Sequence, residues 1–501
     1  MTPMSQQPSQ QRLLYRPAHA FRSAGAFGLT MFSTMLLLGA LFTWVIVLML
    51  PFPAIIKYLG YPVALALGIV PLVISIGGRS LWEVAMGKGA VIAEQRRGQS
   101  MYRSGPFSQI PNGTPPPGLL ATSRTFDFHP GDGSAPFGLI QLSSRNFYTL
   151  VLRTWPQGGE WNIQATRDRW VARLGDMLTF IGQSPDLVAV TITIETLPES
   201  GKRASTLMRS RLDENSPVDA RQVIIEAVEK IPSAEVKLDA RVAVTWRADT
   251  AFRKRDATDM GEEISRRLGR VKDYCHSAGL RVRPMLEREI CAIVRRSFSP
   301  GDELDLETGL MTGEPMRLRW EDCGPVSASD QHDCYLHDAA RSLNWTMAGE
   351  PEAPFDSNVL SDLLNTRAEI PRKRVTFVYQ PYTPSQATKI VNKDHNDARQ
   401  AIRTHVGKLS ERSLVRMESS EAARQEQARG AGMTRVSMIV TATLPVEGDT
   451  RKVETLVTDL GLAAAVRLTA AKDQQLAVFE AGLGFGVILA EEASVSDKLA
   501  A

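Results

Sequence analysis

A chain of 501 residues has room for two or three ordinary domains, and a net charge of +3 is too close to neutral for bulk charge to name a partner. It is 43% hydrophobic and 23% charged, as globular proteins are. Cys275, Cys291, Cys323 and Cys334 are too few for a disulfide scaffold and fit a reducing compartment.

In chain order, residues 1–25 read as a tail. Ala26 to Leu50 carries no charge and as a helix would span roughly 37 Å, enough for the hydrocarbon core. A second uncharged run, Tyr58 to Ile76, follows a loop containing Lys57, so residues 26–78 are expected to form a two-helix transmembrane hairpin. Arg12, Arg16 and Arg22 precede the first run, and Arg79, Lys88, Arg96, Arg97 and Arg103 follow the second. The positive-inside rule then puts both termini in the cytoplasm and the protein in the cell membrane with two spans.

Residues 79–135 form a juxtamembrane segment and a Pro/Gly-rich linker. Leu139–Leu142 and Phe147–Thr154 are expected to form a hairpin, Asn162–Ile181 a helix, and Leu187–Thr196 a strand. Ser216-Pro217-Val218-Asp219 reads as a capping box opening a helix to Ile231. Glu235–Trp246 is the cleanest strand. Its apolar alternate positions are assigned to a core, and Glu235, Lys237, Asp239 and Arg241 to water. Helices follow from Asp259 and over Met285–Arg296.

Beyond a connecting segment at 301–333, Tyr335–Ala348 is expected as a strand, Val359–Asn365 as a helix and Arg374–Gln380 as a strand. Thr383 opens a long polar helical region broken near Gly407. Met433–Leu444 and Ala464–Ala470 are expected as strands, Thr450–Leu460 and Gln474–Gly482 as helices. The alternation predicts an α/β or α+β cytosolic body with two βαβ-type subdomains, 136–300 and 334–490, before a tail at 491–501. No repeat of fixed period is visible in the sequence.

Chemistry-bearing motifs are sparse. Gly87-Lys88, Gly201-Lys202 and Gly407-Lys408 lack the Ser or Thr and the earlier glycine of a phosphate loop. Neither a nucleophile elbow nor an HExxH helix occurs. Cys323, His332, Cys334 and His337 are residue types that zinc accepts, but without finger or ribbon spacing. No catalytic, cofactor-binding or metal-ligating residue is therefore assigned. For the basic run Arg266–Arg296, phosphate or anionic lipid is weighed against the solvated face of two helices. Glu480–Leu489, EAGLGFGVIL, suggests a nucleotide loop, but a helix precedes its glycines. Gly482 is assigned as a C-cap leading into a short apolar strand.

The stretches YRPAHAFRSAGAFGLT, PPPGLLA, RSFSPGDELD, YLHDAARSLNW and RKRVTFVYQPYTP together resemble an actinobacterial two-span membrane protein family that accompanies conjugative, type IV secretion-like gene clusters. Gln386–Gly486 also resembles the end of the non-ATPase N-terminal domain of conjugation ATPases, with Gln474, Gln475, Phe479 and Gly486 matching. These resemblances imply a non-enzymatic inner-membrane scaffold that docks a separate ATPase. Its partners would be the lipid bilayer, that ATPase, other membrane subunits and further copies of itself. A membrane component of a type VII secretion machine, and a membrane-bound enzyme using His337 and Asp338, are the alternatives.

Overall fold

The computed structural model describes residues 100–492 except 106–107, 109, 111, 157–162, 199–216, 230–235, 250–254, 313–317, 350–357, 405–410 and 429–431. Before residue 100 it describes only 38–39, 42–43, 45–46, 49, 53, 75–76 and 79–80. Thirteen strands make one sheet. They are β1 (Met101–Arg103), β2 (Ser123–Phe128), β3 (Phe137–Leu142), β4 (Phe147–Pro156), β5 (Leu187–Pro198), β6 (Val236–Arg247), β7 (Leu280–Pro284), β8 (Ser327–Asp330), β9 (Tyr335–His337), β10 (Ala340–Met347), β11 (Arg372–Pro381), β12 (Thr434–Pro445) and β13 (Leu468–Ala470). Their order is β1-β8-β9-β10-β12-β11-β5-β6-β4-β3-β2, with β13 beside β10 and β7 beside β4.

The sheet contains a topological repeat. In the first half, the hairpin β3–β4 leads through helix α1 (Gln164–Gly182) to β5. Helix α2 (Val218–Glu229) then leads to β6, which inserts between β5 and β4. Helix α3 (Ala257–Ser277) and β7, back against β4, are followed by α4 (Glu287–Phe298). After α5 (Glu303–Thr312), the second half retraces this path. The hairpin β9–β10 leads through α6 (Ser361–Leu364) to β11, and α7 (Pro384–Thr404) with α8 (Glu411–Ala428) leads to β12, between β11 and β10. Then come α9 (Thr450–Ala463), β13 against β10, and α10 (Gln475–Gly482). The halves meet where β5 pairs antiparallel with β11, Thr193 opposite Thr376.

Strand alternation builds three layers. On one face Val242, Val244 and Trp246 of β6 pack with Met177 and Ile181 of α1 and Met260 and Ile264 of α3. On the same face of the second half, Val375, Val440 and Leu444 pack with Val453 and Val457 of α9. On the other face Val151, Ala243 and Ile439 meet Ile290, Val294 and Phe298 of α4 and Val478 and Phe479 of α10. Each fully buried Leu, Ile, Val or Phe contributes about 1.5–3 kcal/mol from removed apolar surface. Local caps fix the helix entries. Asp256 accepts from Asp259 N at 2.8 Å, Asp449 accepts from Arg451 N and Lys452 N, and Thr383 and Gln386 bond each other reciprocally.

Three expectations are corrected. Two βαβ-type subdomains would need parallel strands, yet every strand pair described is antiparallel, and both halves share one sheet. The transmembrane hairpin is overturned as well: among the described residues no helix is long and apolar enough to cross a membrane. At the end of the expected second span, Ser75–Ile76 pairs as a strand with Arg79–Ser80. Most of 26–78, with Arg12, Arg16, Arg22, Lys57, Lys88, Arg96 and Arg97, lies outside the described residues. The inference of a two-span cell-membrane protein with both termini cytoplasmic falls with the hairpin. Third, Tyr335–Ala348 is two strands, because Asp338 turns the chain in the left-handed region (φ 45°) and accepts from Val326 N and Ser327 N. Ser216 of the first capping box and Ile231, the expected end of its helix, lie outside the described residues.

Candidate functional site

The glycine-rich stretch is a strap laid across the strands. Gly482 lies over β12 and β11, where Thr376 Oγ1 donates to its carbonyl at 2.6 Å. Gly484 lies over β5, where Thr191 Oγ1 donates to its carbonyl at 3.3 Å. Gly486 lies over Thr149 of β4 and Thr245 of β6. The alternate residues Leu483, Phe485 and Val487 are buried in the core beneath α4. Gly484 (φ 74°) and Gly486 (φ 92°) take conformations that L side chains rarely adopt. A row of threonine hydroxyls supports the strap: Thr149 bonds Thr245 at 2.9 Å and Thr193 bonds Thr376 at 3.1 Å. Gly482 is the last residue of α10 and Leu483, not Gly482 as assigned, is its C-cap, and the following residues form this strap rather than a strand.

A seam of buried charge runs beside it. Glu195 of β5 accepts from Arg241 of β6 at 3.1 Å, Arg296 of α4 at 3.1 Å and Arg374 of β11 at 3.3 Å. Arg296 also pairs with Asp239, which Arg153 approaches at 3.6 Å. Burial alone would raise both carboxyls. For Glu195, Arg296, Arg241 and Arg374 reverse this and hold it well below its ordinary range; for Asp239, Arg296 and Arg153 lower it below its ordinary value. Arg241 donates Nε and Nη2 to the strap carbonyl of Leu483 and lies over the Phe485 ring at 5.2 Å. Arg374 donates to Ser297 Oγ and lies over the Phe479 ring at 5.0 Å. A cavity of about 10 Å³ beside this seam is lined in part by Glu195, Arg296, Arg372 and Arg374.

Two further buried groups adjoin. Phe298 O can only accept, so His337 donates Nδ1–H to it at 2.6 Å and accepts at Nε2 from Ser342 Oγ at 2.8 Å. The ring packs with Tyr335, Phe298 and Phe479, and burial brings its pKa down to about 4. Glu480 of α10 accepts from Leu119 N at 2.8 Å and so grips the PPPGLLA segment. Burial raises its pKa well above the ordinary glutamate value, against hydrogen bonds from Leu119 and Leu120 that lower it.

The zinc-compatible residues do not converge. Cys323 is buried and donates to Arg319 O. Cys334 faces the core under α9, on the opposite side of the strand from His337, and His332 is exposed against Asp473. Among the described residues no group of three or more His, Cys, Asp or Glu is placed to hold a metal. The basic run divides too. Arg296 is buried in the seam, Arg267 pairs with Asp186 and Glu263, and Arg295 with Asp302, while Arg266, Arg281 and Arg288 are exposed.

The seam itself escaped sequence reasoning. Asp239 and Arg241 sit at alternate positions assigned to water, yet Arg241 is 1% exposed. The available signal was a charge at buried phase in neighbouring strands, as in Glu195 after Thr191 and Thr193, and Arg374 before Thr376. Of the residues matching the ATPase-domain ending, Gln475, Phe479 and Gly486 all have structural work. Gln475 Oε1 accepts from Asn344 N and Nδ2, each at 2.9 Å.

A search of curated proteins returns no match. The family described as Domain of unknown function (DUF8461) matches residues 22–83, upstream of the sheet.

Proposed function

We propose that this chain is a non-enzymatic docking scaffold for a separate ATPase of a conjugative DNA-transfer apparatus, in a form that needs no membrane hairpin. The observation that carries this reading is the use made of the segment resembling the close of the ATPase N-terminal domain. Gln475 is bound into β10 through Asn344, Phe479 packs on Arg374, and Gly486 seats the strap on Thr149. These residues fasten the segment to the sheet and build a platform. Glu195 and Asp239 pair with arginines of the seam, Arg241 holds the strap, and the conspicuous histidine is spent on a backbone carbonyl and a serine.

The test is a binding titration of the purified full chain against the conjugation-type ATPase encoded beside its gene, paired with a nucleotide-hydrolysis assay of the chain alone. Saturable binding without intrinsic hydrolysis is expected. No binding to that ATPase, or hydrolysis by this chain alone, would overturn the reading.

A further inference from the structure

We propose that the cleft between the end of α4 and β11 is a binding site for one small monovalent inorganic anion of the halide class, held by the guanidiniums of Arg296, Arg372 and Arg374. The charge balance around the cleft motivates it. On this face of the sheet Arg241, Arg296, Arg372 and Arg374 meet the carboxylates Glu195, Asp239 and Glu303. Four positive groups against three negative ones leave one charge uncompensated. Arg153 and Glu289, which touch the margin, add one of each sign. Lys373 does not contribute, because alternation sends it to the opposite face, where its Nζ donates to Asn365 O.

The uncompensated charge is buried. Arg296 and Arg374 each keep a buried Nε–H without an acceptor among the described residues. Burial, with Arg241 and Arg296 alongside, outweighs the Glu195 contact and brings Arg374 down to about 10. An anion seated beside these guanidiniums would offset the excess positive charge of this buried place. Size and access select the ligand. The cavity of about 10 Å³ limits the ligand to a particle of one or very few atoms and excludes a phosphate ester. Pro300, Arg372 and Thr443 at its rim are half-buried, so the site is reached from solvent. Arg372 is fixed at the cleft by its bond to Pro300 O and Arg374 by its bond to Ser297 Oγ, with Glu195 also in the lining.

The experiment uses the full chain in two ways. Crystals soaked in sodium bromide should show an anomalous bromine peak between Arg296 and Arg374, and thermal melts should be several degrees higher in sodium chloride than in sodium gluconate at equal ionic strength. Arg374→Met, which removes the excess charge, should abolish that difference. A cleft without bromine, equal melting in the two salts, or a chloride effect that persists in Arg374→Met would overturn the proposal. If the variant does not fold, the bromide map and the salt comparison on the unaltered chain decide the matter.

Discussion

A Cβ built on Gly484 would stand 2.5 Å from Thr193 Oγ1, so the strap and the central strand β5 are in contact with no room for a methyl group between them. Gly484→Ala adds left-handed backbone strain to that clash and should destabilise the chain by roughly 3 kcal/mol. Gly482 has no such φ, and its Cβ would meet Thr441 Oγ1 at 3.1 Å. Gly482→Ala should therefore cost clearly less. Urea denaturation of both variants measures the gap, and equal losses would contradict the strap geometry.

Glu195 bridges three arginines, and Glu195→Gln would leave them without their central carboxylate. The expected loss is about 3–5 kcal/mol, the range for breaking a buried ion pair. Because the folded-state pKa of Glu195 is depressed, its contribution is fully present above the ordinary glutamate value of 4.5 and is lost as pH falls below it. Chemical denaturation across this acid range should show a shallower pH slope in Glu195→Gln than in the unaltered chain.

His337 gives a second acid-sensitive step at higher pH. Its pKa falls from 6.5 to about 4 on burial, so the unfolded chain takes up a proton in that window and the folded chain does not. Stability is full above pH 6.5 and declines by about 3 kcal/mol as pH drops to 4. His337→Gln should flatten the profile between these two values, whereas an unchanged profile would mean that the imidazole is charged in the fold.

Glu480 has the opposite sign. A carboxyl whose pKa is raised on folding makes the fold lose stability as pH rises above the ordinary value of 4.5. Glu480→Gln keeps the shape and the acceptor for Leu119 N while removing the titration. It should be more stable than the unaltered chain at pH 7, and thermal melts would show this directly. A lower melting temperature would place a charged glutamate there.

Periodicity located most of the sheet because a buried face leaves a two-residue rhythm. Glu235–Trp246 was expected and Val236–Arg247 is found; Arg374–Gln380 was expected and Arg372–Pro381 is found. Rhythm does not carry pairing direction. Helices between strands suggested parallel crossovers, whereas β6 inserts between β5 and β4 in an antiparallel sheet. Nor does a single charged residue announce its partner: Arg241 reads as surface until Glu195 is known to lie 3.1 Å away. The repeat of topology was equally hidden. α6 has four residues where α1 has nineteen, so the two halves share a path without sharing a spacing.

The strap also dictates when this protein can become itself during synthesis. Thr191 and the Gly484 carbonyl it bonds are separated by 293 residues, and the layer that covers the first half of the sheet includes Leu483, Phe485 and Val487. Until the ribosome has made those residues, β4, β5 and β6 carry a bare row of threonine hydroxyls and an unshielded Arg241. Such a distant closing contact makes folding slow and late. Nascent chains stalled before residue 482 should therefore engage chaperones and yield to protease, while the full chain released from the ribosome should not.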